Sequence, residues 1–465
     1  MGLTALRYRL DSSWRRPNAN TVIAGSPLRV FRLTDSGAQA ISQAETHDVG
    51  PSPAQQQLFD RFVDAGALHP SPTSGPFTAA DVTFVVPAFN RMPTWSAART
   101  LIVDDGSNPP LAGAHLRHET NRGPGAARNT GLAQVTTPLV AFVDADVSFS
   151  NKVSFSNKVS FADNEWLAPL LAHFADERVA LVAPRIRSAP GATWLAAYEQ
   201  RHSPLDLGDQ PARIASGTRV SYVPAAAIVC RADAVRAIGG FDEALRTGED
   251  VDMVWRLVAA GHRCRYEPSS VVAHQPRDTL YELVQQRFGF GRSATPLATR
   301  HPGALGPVRL SPWSALVWLL ALIRRPLLAT GVLAGTTVAL VRKLRDVPPV
   351  ESVRLVGLGT AAAGKQLADA VTRVWWPLAL LVAVVRRRSR WPLAAALFAP
   401  TVVAAARERS AQRIIDAPIQ LLDRMAYGAG VWAGVVDAAD LTALLPVILA
   451  HSTQTASGIQ PHRIS

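Results

Sequence analysis

The sequence is poor in cysteine and lysine, and each shortage narrows the class of protein. Only Cys230 and Cys264 are cysteines among 465 residues, which argues against a disulfide scaffold and against a cysteine-rich zinc site. Such cysteine usage suits a reducing compartment. Lysine occurs only at positions 152, 158, 343 and 365, so arginine carries almost all of the net charge of +12. A basic chain of this kind indicates nucleic acid, an anionic membrane or phosphate-bearing ligands as partners.

An apolar signal segment is missing at the amino terminus. The opening run MGLTALRYRLDSSWRR becomes charged at once, unlike a secretory signal. The catalytic part is therefore expected to remain in the cytoplasm. Residues 1–75 alternate short strand patterns with two helix patterns, beginning at Asp35 and near Pro53, and predict a small winged-helix-like module. The Pro/Ser/Gly-rich residues 67–80 that follow read as a linker.

The phrases FRLTDSGAQAI and LFDRFVDAGALHP in this module resemble the peptide-recognition domains that act on ribosomally made, modified peptides. Such domains bind a precursor peptide by adding its strand to a sheet edge. A purely structural cap is the alternative. A DNA-binding wing fits less well, because the basic residues do not line one helix.

The carboxyl-terminal third lacks long uninterrupted apolar segments. Five apolar runs alternate with arginine clusters, and most are shorter than the roughly 20 residues that a membrane-spanning helix needs. Helices lying in the membrane surface, with arginines at anionic lipid head groups, fit better, and a helical bundle with external arginines is the alternative. This distribution of arginine explains the basic balance without nucleic acid. The runs are 313–323, 326–341, 374–385, 391–406 and 429–450.

Three apolar strand patterns in the middle of the chain end in polar residues. The first leads into Pro87 and Asn90, the second into Asp104 and Asp105, and the third, 138–143, into Asp144-Ala145-Asp146. Ligands of open α/β sheets collect at the carboxyl ends of strands. Two carboxylates one residue apart at such an end suit a divalent cation, which would relieve their mutual repulsion.

Further motifs follow the same logic. The segment NRGPGAARNTGL opens a helix with small residues, so its amino terminus, at Gly123 and with Arg128 nearby, could face a diphosphate. Asp250 opens another helix, where it could either cap that helix or act as a general base. His274 ends a strand and could be structural or a ligand. In QQRFGFGR, Arg287 could meet a diphosphate and Phe288 or Phe290 a sugar, unless these residues only pack the end of the domain.

Taken together, VVPAFNR, VDDGS, NRGPGAARNTGL, FVDADV, GGFDEALRTGEDVDMVWRL and QQRFGFGR resemble the family-2 glycosyltransferases with the GT-A fold. Among these, the set is most similar to the glycosyltransferases of mycofactocin maturation, which builds a peptide-derived redox cofactor. The resemblance implies that Asp105 contacts the uracil, that Asp146 holds the metal, and that Asp144 supports the ribose or the metal. It further implies that Pro87 and Asn90 shape the nucleotide pocket.

In this family the acidic pair opening the helix carries the base, so Asp250 is expected to be catalytic and Glu249 to contact the acceptor. A histidine at the position of His274 can complete the metal site. Two features depart from the family pattern. Only a dozen residues separate Pro87 from Thr100, which would cut the usual crossover helix to a turn or two. Residues 147–152, VSFSNK, are repeated at once as 153–158, which most simply lengthens a loop but could displace Asp146.

The sequence thus predicts an α/β protein with a GT-A, Rossmann-like mixed sheet at residues 80–300, the module at 1–75 and a helical, membrane-seeking region at 310–465. The expected reaction is inverting, metal-dependent transfer of glucose from UDP-glucose to a peptide-derived acceptor at the cytoplasmic face of the cell membrane. Mg²⁺ or Mn²⁺ is the expected metal, lipid head groups are expected partners, and nucleic acid is not. The alternatives are transfer to a polyprenyl phosphate or cell-wall glycan, and a catalytically dead nucleotide-sugar-binding protein.

Overall fold

A computed structural model describes residues 7–46, 52–149 and 166–449. The chain divides into two compact units. The first runs from the amino terminus to Thr279, apart from residues 17–21, and the second consists of those five residues and 280–465. The predicted boundary between 300 and 310 differs from this division, because the helix that carries QQRFGFGR belongs to the second unit.

The amino-terminal module contains the strands and the two helices expected from its sequence. Helix α2 (Gln56–Asp64) buries Phe59, Phe62 and Val63 against Val22 and Ile41, because residues three and four positions apart share one helix face. Its winged-helix character stays a prediction. The elements are β1 (Arg7–Leu10), β2 (Arg15–Asn18), β3 (Thr21–Ala24), β4 (Arg29–Arg32), α1 (Asp35–Thr46), α2 (Gln56–Asp64) and β5 (Leu68–Ser71). Strands β2, β3 and β4 form one sheet, and β1 pairs with β5 in another.

Ion pairs fasten this module to the rest of the first unit. Asp11, only 3% exposed, accepts hydrogen bonds from His69 and from Arg219 Nη2 at 2.7 Å. Arg263 Nε lies 2.7 Å from Asp64 of α2. Burial would raise the pKa of Asp11, but hydrogen bonds from His69, Ser13 and Arg219 outweigh burial and hold this pKa below its usual range.

A nine-stranded mixed sheet forms the core of the first unit, as expected for a GT-A fold. The strands lie in the order β10-β14-β11-β13-β9-β6-β7-β8, with β12 paired to β14. Strands β9, β6, β7 and β8 are parallel neighbours, whereas β13 runs antiparallel to β9 and β11. The strands are β6 (Val82–Ala88), β7 (Thr100–Asp105), β8 (Leu116–His118), β9 (Leu139–Val143), β10 (Val147–Ser148), β11 (Val179–Ser188), β12 (Ala212–Arg213), β13 (Ala227–Arg231) and β14 (Arg263–His274).

Strand β9 is buried along its whole length, which explains its continuous apolar sequence. Helix α3 packs closely on β6 at Gly131, where no side chain would fit. A Cβ added to Gly131 would lie 2.4 Å from Val85 Cγ1. The expected helical turn between β6 and β7 does not form: residues 89–99 contain no helix, since so short a crossover has no room for one. The helices of this unit are α3 (Pro124–Ala133), α4 (Ala168–Ala172), α5 (Trp194–His202), α6 (Ala232–Ala237) and α7 (Glu249–Ala259).

The second unit is mainly helical. Helices α8 and α16 cross at glycines: a Cβ on Gly291 would lie 1.9 Å from Tyr427 O, and one on Gly430 would lie 2.0 Å from Phe288 O. Among the described residues, no single helix is both long and apolar enough for a membrane crossing; α12 and α13 meet that test only as a pair, bent by 85°. The elements are α8 (Leu280–Arg292), α9 (Ala294–Arg300), β15 (Arg309–Leu310), α10 (Pro312–Leu322), α11 (Pro326–Lys343), α12 (Pro349–Arg373), α13 (Trp376–Val385), α14 (Arg390–Glu408), α15 (Gln412–Ile415), α16 (Ala417–Ala438) and β16 (Val447–Ile448).

Candidate active site

Three predicted ligands meet beyond the end of β9. Ligand atoms of Asp144, Asp146 and His274 all lie within 4.8 Å of one another. They are brought together because β10 pairs antiparallel with the end of β14, with Val147 opposite His274. Asp146 thus keeps its place beside His274, although most of the VSFSNK repeat lies at 150–165, outside the described residues.

The hydrogen bonds of His274 suit a cation. Its Nδ1 lies 2.9 Å from the carbonyl oxygen of Gln275, which can only accept, so Nδ1 carries a proton. The lone pair of a neutral Nε2 would then face Asp146 Oδ1 at 3.2 Å. Two acceptors at that separation need a proton or a metal ion between them. Burial lowers the pKa of His274, but the hydrogen bond and charge of Asp146 outweigh burial and raise it overall. The donor set of two carboxylates and an imidazole therefore fits Mg²⁺ or Mn²⁺.

Arg128 joins this cluster to the acidic pair on α7. Its Nη2 donates to Asp144 Oδ1 at 2.8 Å and its Nη1 to Glu249 Oε1 at 2.7 Å. The side chain is only 4% exposed, and its guanidinium carbon lies 5.3 Å from the centroid of the Phe241 ring. The guanidinium is thus engaged by two carboxylates, and the diphosphate contact of Arg128 stays a prediction.

Glu249 and Asp250 lie in the first turn of α7, after Gly248, whose φ of 84° favours glycine. Asp250 Oδ2 accepts the backbone N–H of Ala225 at 3.2 Å, which fixes the carboxylate against the segment before β13. Burial, followed by the charge of Asp250, raises the pKa of Glu249 to about 7. Burial also raises the pKa of Asp250. A carboxylate with a raised pKa is a stronger base, which suits the role predicted for Asp250.

Asp105 organises the loop before α3. Its carboxylate accepts from the backbone N–H groups of Arg122 at 2.9 Å and Gly123 at 2.8 Å, and contacts His118 Nδ1 at 2.7 Å. Gly123, at φ 100°, is the residue that caps α3. His118 was missed by the sequence analysis, because a lone histidine on a three-residue strand gives no local signal. The uracil contact of Asp105 stays a prediction.

The two loops that follow β6 and β7 are tied together. The backbone N–H of Asn90, at φ 54°, donates to Ser107 Oγ at 2.7 Å, and Asn90 Oδ1 accepts from the N–H of Asn108 at 3.3 Å. Pro87 lies opposite Val103 in the β6–β7 pairing. The part of Pro87 and Asn90 in shaping the nucleotide pocket stays a prediction.

Two arginines near Asp146 were not singled out from the sequence. Arg277 Nη2 lies 3.8 Å from Asp146 Oδ2, and Arg91 hydrogen-bonds Gln275. For Arg91 the sequence did contain a signal, because it directly follows Asn90.

Arg287 has a different place: it lies on α8 in the second unit, 3% exposed, with its Nε 3.0 Å from Asp423 Oδ1. All other predicted site residues belong to the first unit.

Comparisons with known proteins give several matches. A family model described as "Glycosyl transferase family group 2" matches residues 160–385. Over 464 residues the chain is 38% identical to the pre-mycofactocin glycosyltransferases of Mycobacterium tuberculosis strains CDC 1551 / Oshkosh and ATCC 25618 / H37Rv, covering 93% of this chain and 95% of each relative. It is also 32% identical over 82 residues to the succinoglycan biosynthesis protein ExoA of Rhizobium meliloti (strain 1021), covering 18% of this chain and 25% of that protein.

Two solved structures also align with the chain. The mannosyltransferase PcManGT from Pyrobaculum calidifontis, in complex with GDP-Man and Mn²⁺, aligns with a TM-score of 0.40 and 15% identity, over 86% of this chain and 99% of that one. S. aureus TarS in complex with UDP-GlcNAc aligns with a TM-score of 0.32 and 15% identity, over 47% and 66% of the respective chains.

Proposed function

The chain belongs to the family 2 glycosyltransferases, and from that premise we propose that it transfers glucose from UDP-glucose to the peptide-derived acceptor of mycofactocin maturation, with inversion. The observation that carries this proposal is the connection between two acidic groups. Arg128 links Asp144, beside Asp146 and His274, to Glu249, which precedes Asp250. The carboxylates that would bind the donor thus lie next to the carboxylate that would activate the acceptor. A single displacement at the sugar requires this proximity.

The base in this reaction is Asp250. Its carboxylate takes the proton of the acceptor hydroxyl while that oxygen forms a bond to the anomeric carbon of the sugar. The bond from this carbon to the diphosphate oxygen breaks, and its electron pair leaves with the nucleotide. Because no covalent intermediate is formed with the protein, one displacement inverts the anomeric configuration. Glu249, held by Arg128 at 2.7 Å, contacts the acceptor beside the base.

Asp144, Asp146 and His274 would hold the divalent ion, which when bound supplies charge stabilisation for the leaving diphosphate. Burial would raise the pKa of Asp146, but the hydrogen bond and charge of His274, followed by the charges of Arg277 and Arg91, outweigh burial and lower this pKa. Both arginines would add positive charge where the diphosphate departs.

The remaining assignments extend the proposal to the ends of the chain. The amino-terminal module would bind the peptide-derived acceptor, and its ion pairs with the rest of the first unit would fix it in place. The second unit would rest on the cytoplasmic face of the membrane. Its support is a set of exposed apolar side chains near exposed arginines: Leu327, Val384, Val385 and Trp391 are each more than 70% exposed.

The test is turnover of nucleotide sugars by the full chain and by Asp250→Asn. With UDP-glucose and the peptide-derived acceptor, this change should lower kcat about 10²–10⁴-fold, because the general base is lost. Asp233→Asn, an exposed aspartate in the first turn of α6, is the matched control and should retain activity. If the unchanged chain forms no product with any nucleotide sugar, the protein is only a binding protein. Transfer to polyprenyl phosphate or glycan but not to the peptide-derived acceptor would replace the proposed acceptor.

A further inference from the structure

A cavity lies in the first unit, apart from the residues of the candidate active site. It has a volume of about 880 Å³ and lies between the amino-terminal module and the catalytic sheet. Tyr8, Val63 and Pro70 line it from the module, and Asp176, Arg263 and Arg265 line it from the sheet side. The volume is in the range of pockets that hold small organic ligands.

The feature that indicates a ligand is Arg265. It is 3% exposed, and its Nε and Nη1 are buried without a hydrogen-bond partner. Among the described residues no carboxylate pairs with its guanidinium. Burial lowers the pKa of Arg265 to about 10, which still leaves it protonated at neutral pH. A buried, charged and unpaired guanidinium is unfavourable unless something in the cavity compensates it.

The neighbouring carboxylates are already occupied by other arginines. Arg263 reaches three of them: Asp64 at 2.7 Å, Asp176 at 2.6 Å and Asp60 at 3.2 Å. Arg178 Nη2 also lies 2.6 Å from Asp60.

Two further charged residues near Arg265 do not compensate its positive charge. Arg213, opposite Arg265 in the β12–β14 pairing, donates only to the backbone carbonyl of Asp64. Glu177, the remaining carboxylate in the wall of the cavity, is exposed to solvent. Arg263 and Arg178 thus have carboxylate partners in this group, whereas Arg265 has none among the described residues.

We propose that this cavity binds the carboxylate of a small organic acid or of a peptide carboxyl terminus, with Arg265 as its buried cation. A single buried guanidinium is compensated by a single negative charge, so the expected ligand is a monoanion. A phosphate dianion would instead be repelled by Asp60 and Asp176, which line the same cavity. The Tyr8 ring and the proline-rich linker, at Pro72 and Pro76, provide an apolar wall for the body of the ligand.

This site is separate from sugar transfer. Arg265 lies near the start of β14 and His274 ends that strand, so nine residues, or about 30 Å of extended chain, separate the two sites. The inference goes beyond the proposed function, and failure of either one leaves the other standing.

The test is binding of a carboxylate probe to the full chain, measured by calorimetry. The probes are N-acetyl-alanyl-phenylalanine, its carboxyl-terminal amide, sodium acetate and inorganic phosphate. The free acid should bind at least about tenfold more tightly than the amide, because only the acid compensates Arg265. Acetate binding as tightly as the dipeptide would identify a small organic acid as the ligand, and weaker acetate binding would identify a peptide terminus.

Arg265→Gln should lose this preference for the acid, whereas Arg99→Gln, at an exposed arginine of the same unit, should keep it. Thr73→Trp, on the exposed linker wall, should block the cavity without removing a buried group, and it decides the matter if Arg265→Gln does not fold. The proposal is overturned if acid and amide bind alike, if neither binds, if phosphate binds more tightly than the acid, or if either cavity variant binds the acid as the unchanged chain does.

Discussion

Two buried arginines of the first unit and one exposed arginine cluster of the second unit lie in opposite environments. In the first unit, Arg128 is buried between two carboxylates and Arg263 reaches three. In the second unit, Arg386, Arg387 and Arg388 are exposed and make no side-chain hydrogen bond or ion pair with the described residues. The same guanidinium thus fixes geometry where it is buried with acids, and is left available to outside anions where no acid is near.

The apolar residues show the same contrast. In the first unit they fill the space around the mixed sheet, as with Phe84, Phe142 and Val143, which are at most 3% exposed. In the second unit, Val384 and Val385 are 74% and 78% exposed, directly before Arg386. Adjacent apolar side chains that are exposed to this extent usually mark a site that binds a partner or a membrane. Changing the buried arginines should therefore affect folding and catalysis, whereas changing the exposed ones should affect only association.

The largest expected effect is that of Arg128→Met. It removes the cation between Asp144 and Glu249 and leaves buried negative charge unpaired, which should lower the free energy of unfolding of the first unit by about 3–5 kcal/mol. Thermal denaturation followed by tryptophan fluorescence measures the change. Arg386→Met is the matched control and should stay within about 0.5 kcal/mol. Equal melting temperatures for the two variants would contradict the distinction between buried and exposed arginines.

A second expectation concerns the pH dependence of turnover. Burial raises the pKa of Asp250, and burial together with the charge of Asp250 raises that of Glu249 to about 7. A base must be deprotonated, so activity is present above the pKa and is lost as the pH falls through it. Because Asp250 is the base, the acid limb of kcat/KM should lie above the usual value of about 4 for a carboxyl group.

Glu249→Gln removes the adjacent negative charge, so the acid limb should move to lower pH while Asp250 remains the base. Asp233→Asn should leave the limb in place, because this exposed carboxylate lies on another helix. A limb near pH 4 in the unchanged chain would show that burial does not control these carboxylates.

Local sequence patterns predicted the strands and the acidic residues at their ends. Asp144 and Asp146 follow a fully buried strand, and the proximity of His274 follows from the pairing of β10 with β14. The partners of Arg128 could not be predicted in this way. Glu249 lies 121 residues further along the chain, and which carboxylate reaches a buried cation depends on how α3 and α7 pack.

The contacts of the segment QQRFGFGR also depend on residues that lie far away in the sequence. Its basic and aromatic residues suggested ligand contacts, yet Gly291 makes the close crossing with Tyr427 of α16, and Arg287 pairs with Asp423. Both partners lie well over a hundred residues away in the sequence. These contacts show how the segment packs against α16, while its predicted ligand contacts stay a prediction.

The smallest effect per residue is expected for the exposed arginines of the second unit. Each arginine near an anionic membrane surface contributes about 1 kcal/mol, so Arg386→Gln, Arg387→Gln and Arg388→Gln together should weaken binding to phosphatidylglycerol vesicles by about 3 kcal/mol. Co-flotation with vesicles measures this, and phosphatidylcholine vesicles show how much binding is apolar. Arg99→Gln in the first unit should not alter flotation. Because these side chains have no partner among the described residues, the triple variant should keep its melting temperature. Unchanged binding to anionic vesicles would contradict the proposed contact of these arginines with lipid head groups.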